Sequence, residues 1–312
     1  MIEVRSLSRY YGEFAAIEDI SFDIRSNEVV GFLGLNGAGK STTLKILAGL
    51  LAPSEGSVMV DGSDLLSAPS AFRARIGYLP EEPPLYREMT VSEFLAYLAE
   101  LRGMDRSITV DRLPEVLSLC QLSGQADRII GELSMGFRKR VGIAQAIVHA
   151  PKLVILDEPI SGLDPYQIVE MRDLIRNLSK ECTVLLSSHN LNEVSETCDR
   201  LLVLDQGRMV AQGSATDLSA QTSLEKAQIE AMLVPGGTNL STELEALEAV
   251  ASFQIAGEES AEAVPVRISL QAGRPEDLVA QLVGKGIGVR SVSNSQSELE
   301  KIFLSLTQEG QR

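Results

Sequence analysis

The sequence predicts an α/β fold built on a parallel sheet, with a helical insertion and a small α+β domain behind it. Three observations predict it. The run Glu28–Leu33 is apolar and β-branched, Gly34-Leu35-Asn36-Gly37-Ala38-Gly39-Lys40-Ser41 is a glycine-rich turn, and residues 42–51 read as a helix. Two further apolar runs, Lys152–Leu156 and Thr183–Ser188, have the continuous hydrophobicity of buried parallel strands. From about residue 221 the pattern becomes strand, helix, strand, strand, helix, strand.

The glycine-rich turn carries chemistry. Strand, G-x-x-x-x-G-K-[ST] and helix in that order form a phosphate-binding loop. Its glycines let successive backbone N–H groups turn toward phosphate oxygens, and the helix N-terminus adds partial positive charge. Lys40 is placed to reach the β- and γ-phosphates and the Ser41 hydroxyl to bind Mg²⁺. Asn36, Gly37, Gly39, Lys40, Ser41 and Thr42 are therefore candidate nucleotide contacts.

Bulk properties narrow the function. A chain of 312 residues, 44% hydrophobic, can bury a sizeable core and suggests one large and one small domain. No apolar run reaches the roughly 18 residues of a membrane span, and the N-terminus leads straight into a strand pattern, so a cytosolic chain is expected. A net charge of −15 disfavours nucleic acid as a partner. Three dispersed cysteines, Cys120, Cys182 and Cys198, indicate neither a disulfide framework nor a zinc site and read as reduced core thiols.

In chain order, residues 2–11 and 14–25 read as two strands, with Tyr10-Tyr11-Gly12 at their junction. A tyrosine there could stack on an adenine ring or cap the core. Ser57–Gly62 and Arg75–Pro80 are further strands, the second running into the loop Glu81-Glu82-Pro83-Pro84. Thr90-Val91-Ser92-Glu93 is a capping box, and residues 90–148 read as helices broken near Gly103, Pro114 and Gly124. Within them Leu133-Ser134-Met135-Gly136-Phe137 opens a helix whose N-terminus is an anion site by geometry; the plainer reading is a capped helix with a basic surface at Arg138–Arg140. The strand from Lys152 ends in Asp157-Glu158, at the edge where open α/β sheets bind ligands. Asp157 suits Mg²⁺, and Glu158 is placed to orient or deprotonate a water. Ser161–Pro165 is a loop, 166–180 a helix, and His189 follows the strand Thr183–Ser188 on the same edge, where it could meet a γ-phosphate. His149, before Pro151, has no assigned role. Leu201–Val210 closes as a hairpin around Gly207.

This ordered set resembles the nucleotide-binding subunit of an ABC transporter over about residues 1–220. The resemblance implies a P-loop NTPase core of the ABC type, with a helical subdomain at about 84–148, binding ATP and Mg²⁺. It implies a second copy of the chain in a head-to-tail pair, and polytopic membrane permease subunits that hold the pair at the cytoplasmic face of the membrane. By position, Tyr11 would stack on adenine, Glu158 would be the catalytic base, His189 would contact the γ-phosphate, and Ser134 and Gly136 would face the ATP of the other copy. Asp164 would report across the pair. Two positions depart from the family pattern: the signature L-S-G-G-Q reads Leu133-Ser134-Met135-Gly136-Phe137, and Glu81 stands where a Gln is usual. A carboxylate at Glu81 can only accept hydrogen bonds, and Mg²⁺ would tolerate it.

The tail, 221–312, reads as strand 227–234, helix 241–250, strands 252–257 and 264–270, helix 275–285, strand 288–293 and helix 297–308. The first six elements have a ferredoxin-like order. The tail resembles the small C-terminal domain of some bacterial exporter ATPases, including those linked to gliding motility and to copper or polysaccharide export. The expected function is thus an ATPase that powers a transporter, with export favoured. The alternatives are a soluble ABC-type ATPase acting on nucleic acid or a protein assembly, and a protein that binds ATP without turnover. The insertion before Asp157 is too short for the coiled coil of DNA-repair relatives, translation relatives carry two phosphate loops, and Lys40, Asp157 and Glu158 are intact for turnover.

Overall fold

The apolar runs at 28–33, 152–156 and 183–188 are strands in the structure, a computed structural model that describes residues 2–221, 228–236, 239–256, 262–271 and 275–294. By its contacts the chain divides into two compact units that meet at residues 215 and 216.

The first unit opens with β1 (Ile2–Tyr11), β2 (Phe14–Ile24) and β3 (Val29–Leu33), followed by α1 (Lys40–Leu47). Next come β4 (Glu55–Val60), β5 (Ser63–Asp64), α2 (Pro69–Ala74) and β6 (Ile76–Leu79). The helical insertion supplies α3 (Val91–Leu101), α4 (Arg106–Leu119) and α5 (Met135–Ile147). Then follow β7 (Leu153–Asp157), α6 (Pro165–Leu178), β8 (Thr183–Ser188), α7 (Leu191–Thr197), β9 (Arg200–Asp205) and β10 (Arg208–Gly213); α8 (Ala215–Gln221) starts on residue 215 and otherwise belongs to the second unit.

Two sheets result. The order β2-β1-β4-β5 is antiparallel throughout. The order β10-β9-β3-β8-β7-β6 is parallel except at its β10 edge. Strands β3, β7 and β8 are buried at every position, as a parallel sheet covered on both faces requires. Residues of β2 from Ile20 alternate buried and exposed. One core joins the two sheets: Ile20 and Phe22 pack with Val30, Phe32, Leu44 and Ile155, and the Phe22 and Phe32 rings meet edge to face at 5.6 Å.

The insertion begins where its chemistry places it. Thr90 Oγ1 accepts from the Glu93 N–H, and the Glu93 carboxylate accepts from the Thr90 N–H at 2.9 Å, closing the predicted capping box. The expected break at Pro114 does not occur: α4 runs through it. A proline inside a helix frees the carbonyl four residues earlier. That carbonyl belongs to Val110, 63% exposed, where water can take the lost bond. Helices α2 and α7 fall in stretches where the sequence showed no period; at six and seven residues they are too short to show one.

After α8 the second unit continues with β11 (Gln228–Val234), α9 (Leu240–Glu245), β12 (Val250–Ile255), β13 (Val264–Leu270), α10 (Pro275–Gly284) and β14 (Gly288–Asn294). Its sheet, β12-β13-β11-β14, is antiparallel and has the strand order of a split βαβ fold. Ile229, Ala231 and Leu233 of β11 and Val264, Val266 and Ile268 of β13 face α9 and α10 in an apolar core. The helix expected at 297–308 lies outside the described residues.

Candidate active site

Parallel strands bring their C-terminal ends to one edge, and register does the rest. Leu33 at the end of β3 pairs with Ser188, Asp157 at the end of β7 pairs with Ser187, and Leu79 at the end of β6 pairs with Leu156. The loops that follow these four strands carry residues 34–39, 80–90, 158–164 and 189–190, so the candidate residues spread along the sequence share one rim.

The phosphate loop leaves β3 and enters α1 through Gly39, which caps the helix at φ +98 with no side-chain cap bond. A Cβ there would stand 2.7 Å from the Ala16 carbonyl, so only glycine fits between the loop and β2. The first-turn N–H groups of α1 are therefore not taken by a capping side chain, as an anion cradle requires. Lys40 is 7% exposed; its Nζ donates to Gly34 O at 2.6 Å and Leu35 O at 3.2 Å, which curls the side chain over its own loop. Burial pushes its pKa down, and the carboxylates of Glu158, Asp157 and Glu81 oppose that shift. Those three acids thus face the lysine. Ser41 is exposed, Thr42 half-buried, and the buried Thr43 hydroxyl donates to Gly39 O at 3.0 Å.

Across the rim a chain of hydrogen bonds runs from β7 to His189. Ser187 Oγ donates to Asp157 Oδ1 at 2.6 Å and accepts the Glu158 N–H at 3.0 Å. The Tyr78 hydroxyl also donates to Asp157; burial first, and then that carboxylate, push the phenol up to about 12. Glu158 holds a left-handed backbone, φ +50, at a cost of about 1 kcal/mol or more for a residue with a side chain. His189 Nδ1 lies 3.0 Å from both Glu158 carboxylate oxygens. A carboxylate only accepts, so the imidazole carries its proton on Nδ1. The Glu158 side chain is 11% exposed and that of His189 57%, so the pair is rooted in protein and opens to solvent.

Ser134, Gly136 and Asp164 form a second cluster at the N-termini of α5 and α6. Ser134 caps α5, accepting the Phe137 N–H at 3.4 Å, and Asp164 caps α6, accepting the Gln167 N–H at 2.9 Å. A Cβ on Gly136 would stand 2.9 Å from Gln167 Oε1, and Met135 Cε lies against Gly162. The start of α5 is thus seated on the loop that leaves β7. Tyr11 is 49% exposed at the end of β1, with the Arg9 guanidinium 4.9 Å over its ring. Its strand pairs with β2, which touches the phosphate loop at Gly39.

Sequence reasoning missed Ser187, Tyr78 and Lys139. The change from apolar residues to Ser187-Ser188 at a strand end beside Asp-Glu was a readable signal for the first. Lys139 had none. The run Arg138–Arg140 reads as a solvated basic face, yet Lys139 and Arg140 are each 5% exposed. Arg140 pairs with Glu170 and Gln121, and Lys139 Nζ donates to Glu158 O at 2.8 Å and Ser161 O at 2.6 Å. Cys120 and Cys182 are buried and all three cysteines are free thiols.

The donor set can hold a nucleotide. The uncapped helix N-terminus, the turned-in lysine and an acid-lined rim opposite are the parts of a P-loop NTPase on a parallel sheet. Residues 17–161 match the family model described as ABC transporter. The chain is 34% identical over 306 residues, 98% of this chain and 99% of the relative, to the uncharacterized ABC transporter ATP-binding protein YxlF of Bacillus subtilis (strain 168). It is 30% identical, over 98% of this chain and 97% of the relative, to the bacitracin transport ATP-binding protein BcrA of Bacillus licheniformis. A solved structure described as the ATP binding subunit of an ABC transporter superimposes with a TM-score of 0.65 at 35% identity, covering 72% of this chain and 94% of that one. The chain belongs to the ABC transporter ATP-binding proteins and is an ATPase of that family.

Proposed function

We propose that this chain hydrolyses ATP to drive an exporter, as a head-to-tail pair bound to membrane permease subunits on the cytoplasmic face. The observation that carries the reading is the bonded series Asp157, Ser187, Glu158, His189 set opposite Lys40 on one sheet rim. Export is supported by the relative named for bacitracin transport and by another, 30% identical over 312 residues, named for linearmycin resistance. Among the described residues no helix is long and apolar enough to cross a membrane, so the span would come from partner chains.

In this reading Tyr11 stacks on the adenine, and Asn36, Gly37, Gly39 and Thr42 line the phosphates. Lys40 exchanges its two carbonyl partners for β- and γ-phosphate oxygens, a charge-assisted replacement. Ser41, Asp157 and Glu81 would be the oxygen donors for Mg²⁺, an ion that takes one or two carboxylates with substrate phosphates rather than a protein cage and would supply charge neutralisation. Glu158 takes the proton of the attacking water, and its bond to His189 Nδ1 fixes the carboxylate plane while the ring meets the γ-phosphate. Ser134 and Gly136 cover the nucleotide held by the other copy, and Asp164 relays between the two sites. Residues 1–220 form the ATP-binding domain and 221–312 an accessory domain.

The test is Glu158→Gln. The variant keeps its hydrogen-bond geometry and loses the base, so turnover falls about 100-fold or more with ATP affinity kept. Light scattering with Mg²⁺ and ATP then reports a dimer. A variant that remains monomeric sinks the head-to-tail arrangement, and one that hydrolyses ATP normally removes Glu158 from the chemistry.

A further inference from the structure

One buried cation in the site is not used by the reaction as described. Lys139 sits on α5, 5% exposed, and both bonds recorded for its Nζ go to carbonyls of the loop that leaves β7: Glu158 O at 2.8 Å and Ser161 O at 2.6 Å. Glu158 is the residue of that loop other than glycine with a left-handed backbone, φ +50. Its N–H is held from the other side by Ser187 Oγ at 3.0 Å. The peptide groups on both sides of the catalytic carboxylate are therefore clamped, one by β8 and one by α5. We propose that Lys139 is a positioning residue for hydrolysis, holding the backbone of Glu158 so that its carboxylate is aimed at the attacking water.

Three observations support the assignment. An ammonium has three donors on a flexible stem, and Lys139 takes the carbonyls of residues 158 and 161 together, where the loop's own turn supplies only the longer bond from the Ser161 N–H to Glu158 O at 3.3 Å. Burying a lysine is unfavourable unless its charge is balanced, and here Glu158, Glu81 and Glu193 balance it while burial pulls the other way. Lys139 also shares a helical face with Met135 and Gly136, four and three residues earlier, which touch Gly162 and Gln167. The whole face is seated on the stretch 158–167, so a shift of α5 is transmitted to Glu158 through Lys139. A neutral surface residue would give none of this.

The inference rests on the reading of Glu158 as the base, and the experiment separates the two. In the full-length chain, turnover, KM for MgATP and the Kd of a fluorescent ATP analogue are measured for Lys139→Met, Lys139→Arg and Glu158→Gln, and for Lys139→Met combined with Glu158→Gln. Lys139→Met lowers kcat about tenfold or more with KM and Kd within about twofold, the pattern of a group acting only on the chemical step. Lys139→Arg, which keeps donors for both carbonyls, restores kcat to within about threefold of the parent. Added to Glu158→Gln, the Met substitution costs less than about twofold, because it acts through the carboxylate already removed. The proposal is overturned by a kcat of Lys139→Met within about twofold of the parent, by a loss carried in Kd, or by a full multiplicative loss on top of Glu158→Gln. Should Lys139→Met be insoluble, Lys139→Gln, one bond shorter, replaces it; it lowers kcat about threefold or more, and an unchanged kcat overturns the proposal. Normal turnover in Glu158→Gln alone removes the base itself and leaves the clamp without an object.

Discussion

The two units of this chain bury different things. In the first, Lys40, Lys139, Arg140, Asp157, Glu158, Ser187 and Ser188 are all buried, and eight of the described residues other than glycine hold positive φ. In the second, every residue of the described core is apolar, and no described residue other than glycine has positive φ. Every second residue of the β13 strand is buried, Val264, Val266, Ile268 and Leu270 inward, with exposed or half-buried residues between them. A buried charge is retained at the expense of stability, since well-packed apolar residues of the same volume stabilise as much or more. The first unit accepts that expense along one rim, where strand ends meet. The second is built for packing alone, and whatever it does for the transporter it does through its surface. Buried charge in one unit, and none among the described residues of the other, points to the first unit for the chemistry without reference to any relative.

The comparison is tested hardest at Lys40. Lys40→Ala removes the charge that meets the phosphates, and ATP affinity falls about 100-fold with turnover below detection. Thermal unfolding of the chain changes little, because the same substitution also removes a half-desolvated cation. Equilibrium binding of a fluorescent ATP analogue reads the first outcome and calorimetry the second. Wild-type affinity in this variant would take the phosphates away from the rim and leave its polar residues as mere structure.

A second variant approaches from the other side. Leu278 on α10 is fully buried in the second unit. Leu278→Ala leaves a cavity and costs that unit about 2–5 kcal/mol. Two units with separate cores predict that this loss appears as an earlier unfolding transition confined to residues 216 onward, with ATP affinity and turnover unchanged. Hydrogen exchange resolved by segment distinguishes the units. A parallel loss of nucleotide binding would show that the second core supports the first site.

How much of this was legible in the sequence follows from the range of the interactions. The phosphate loop, Asp157-Glu158 and the Thr90–Glu93 capping box are local: their residues act on groups within a few positions, so linear spacing encodes them. The split βαβ order of the second unit was legible because its strands alternate cleanly. Lys139 was not, because its burial depends on a loop 19 residues away that only the sheet brings near. Ser187 was half legible, as a polar ending to an apolar strand. Pro114 misled, since proline removes one hydrogen bond but cannot say whether water is at hand to replace it. Short helices such as α2, with Phe72 its one buried side chain, carry too few turns for a period.

The smallest predicted effect concerns acid. The chain has two histidines, and both belong to the first unit. His149 Nε2 lies 3.0 Å from the Ile76 carbonyl, and its Nδ1 is buried with no hydrogen-bond partner. Burial, with the Arg102 and Arg112 charges adding to it, depresses the ring to about 4 against an ordinary value of 6.5. Above pH 6.5 the ring is neutral in folded and unfolded chains alike and contributes no pH dependence. Between 6.5 and 4 the unfolded chain takes up the proton and the folded chain does not, so stability falls as pH falls. Below about 4 both forms are protonated and the loss is complete. Because the ring is partly exposed, screening holds the total to roughly 1–2 kcal/mol. His149→Gln, whose amide can still donate to Ile76, should flatten the slope of first-unit stability against pH in that window by this amount, measured by denaturant titration at pH 7, 5.5 and 4.5. The second unit, with no histidine, keeps its slope in both proteins. Equal flattening in the two units would mean that they do not unfold separately, and the contrast between a charged rim and an apolar core would lose its thermodynamic meaning.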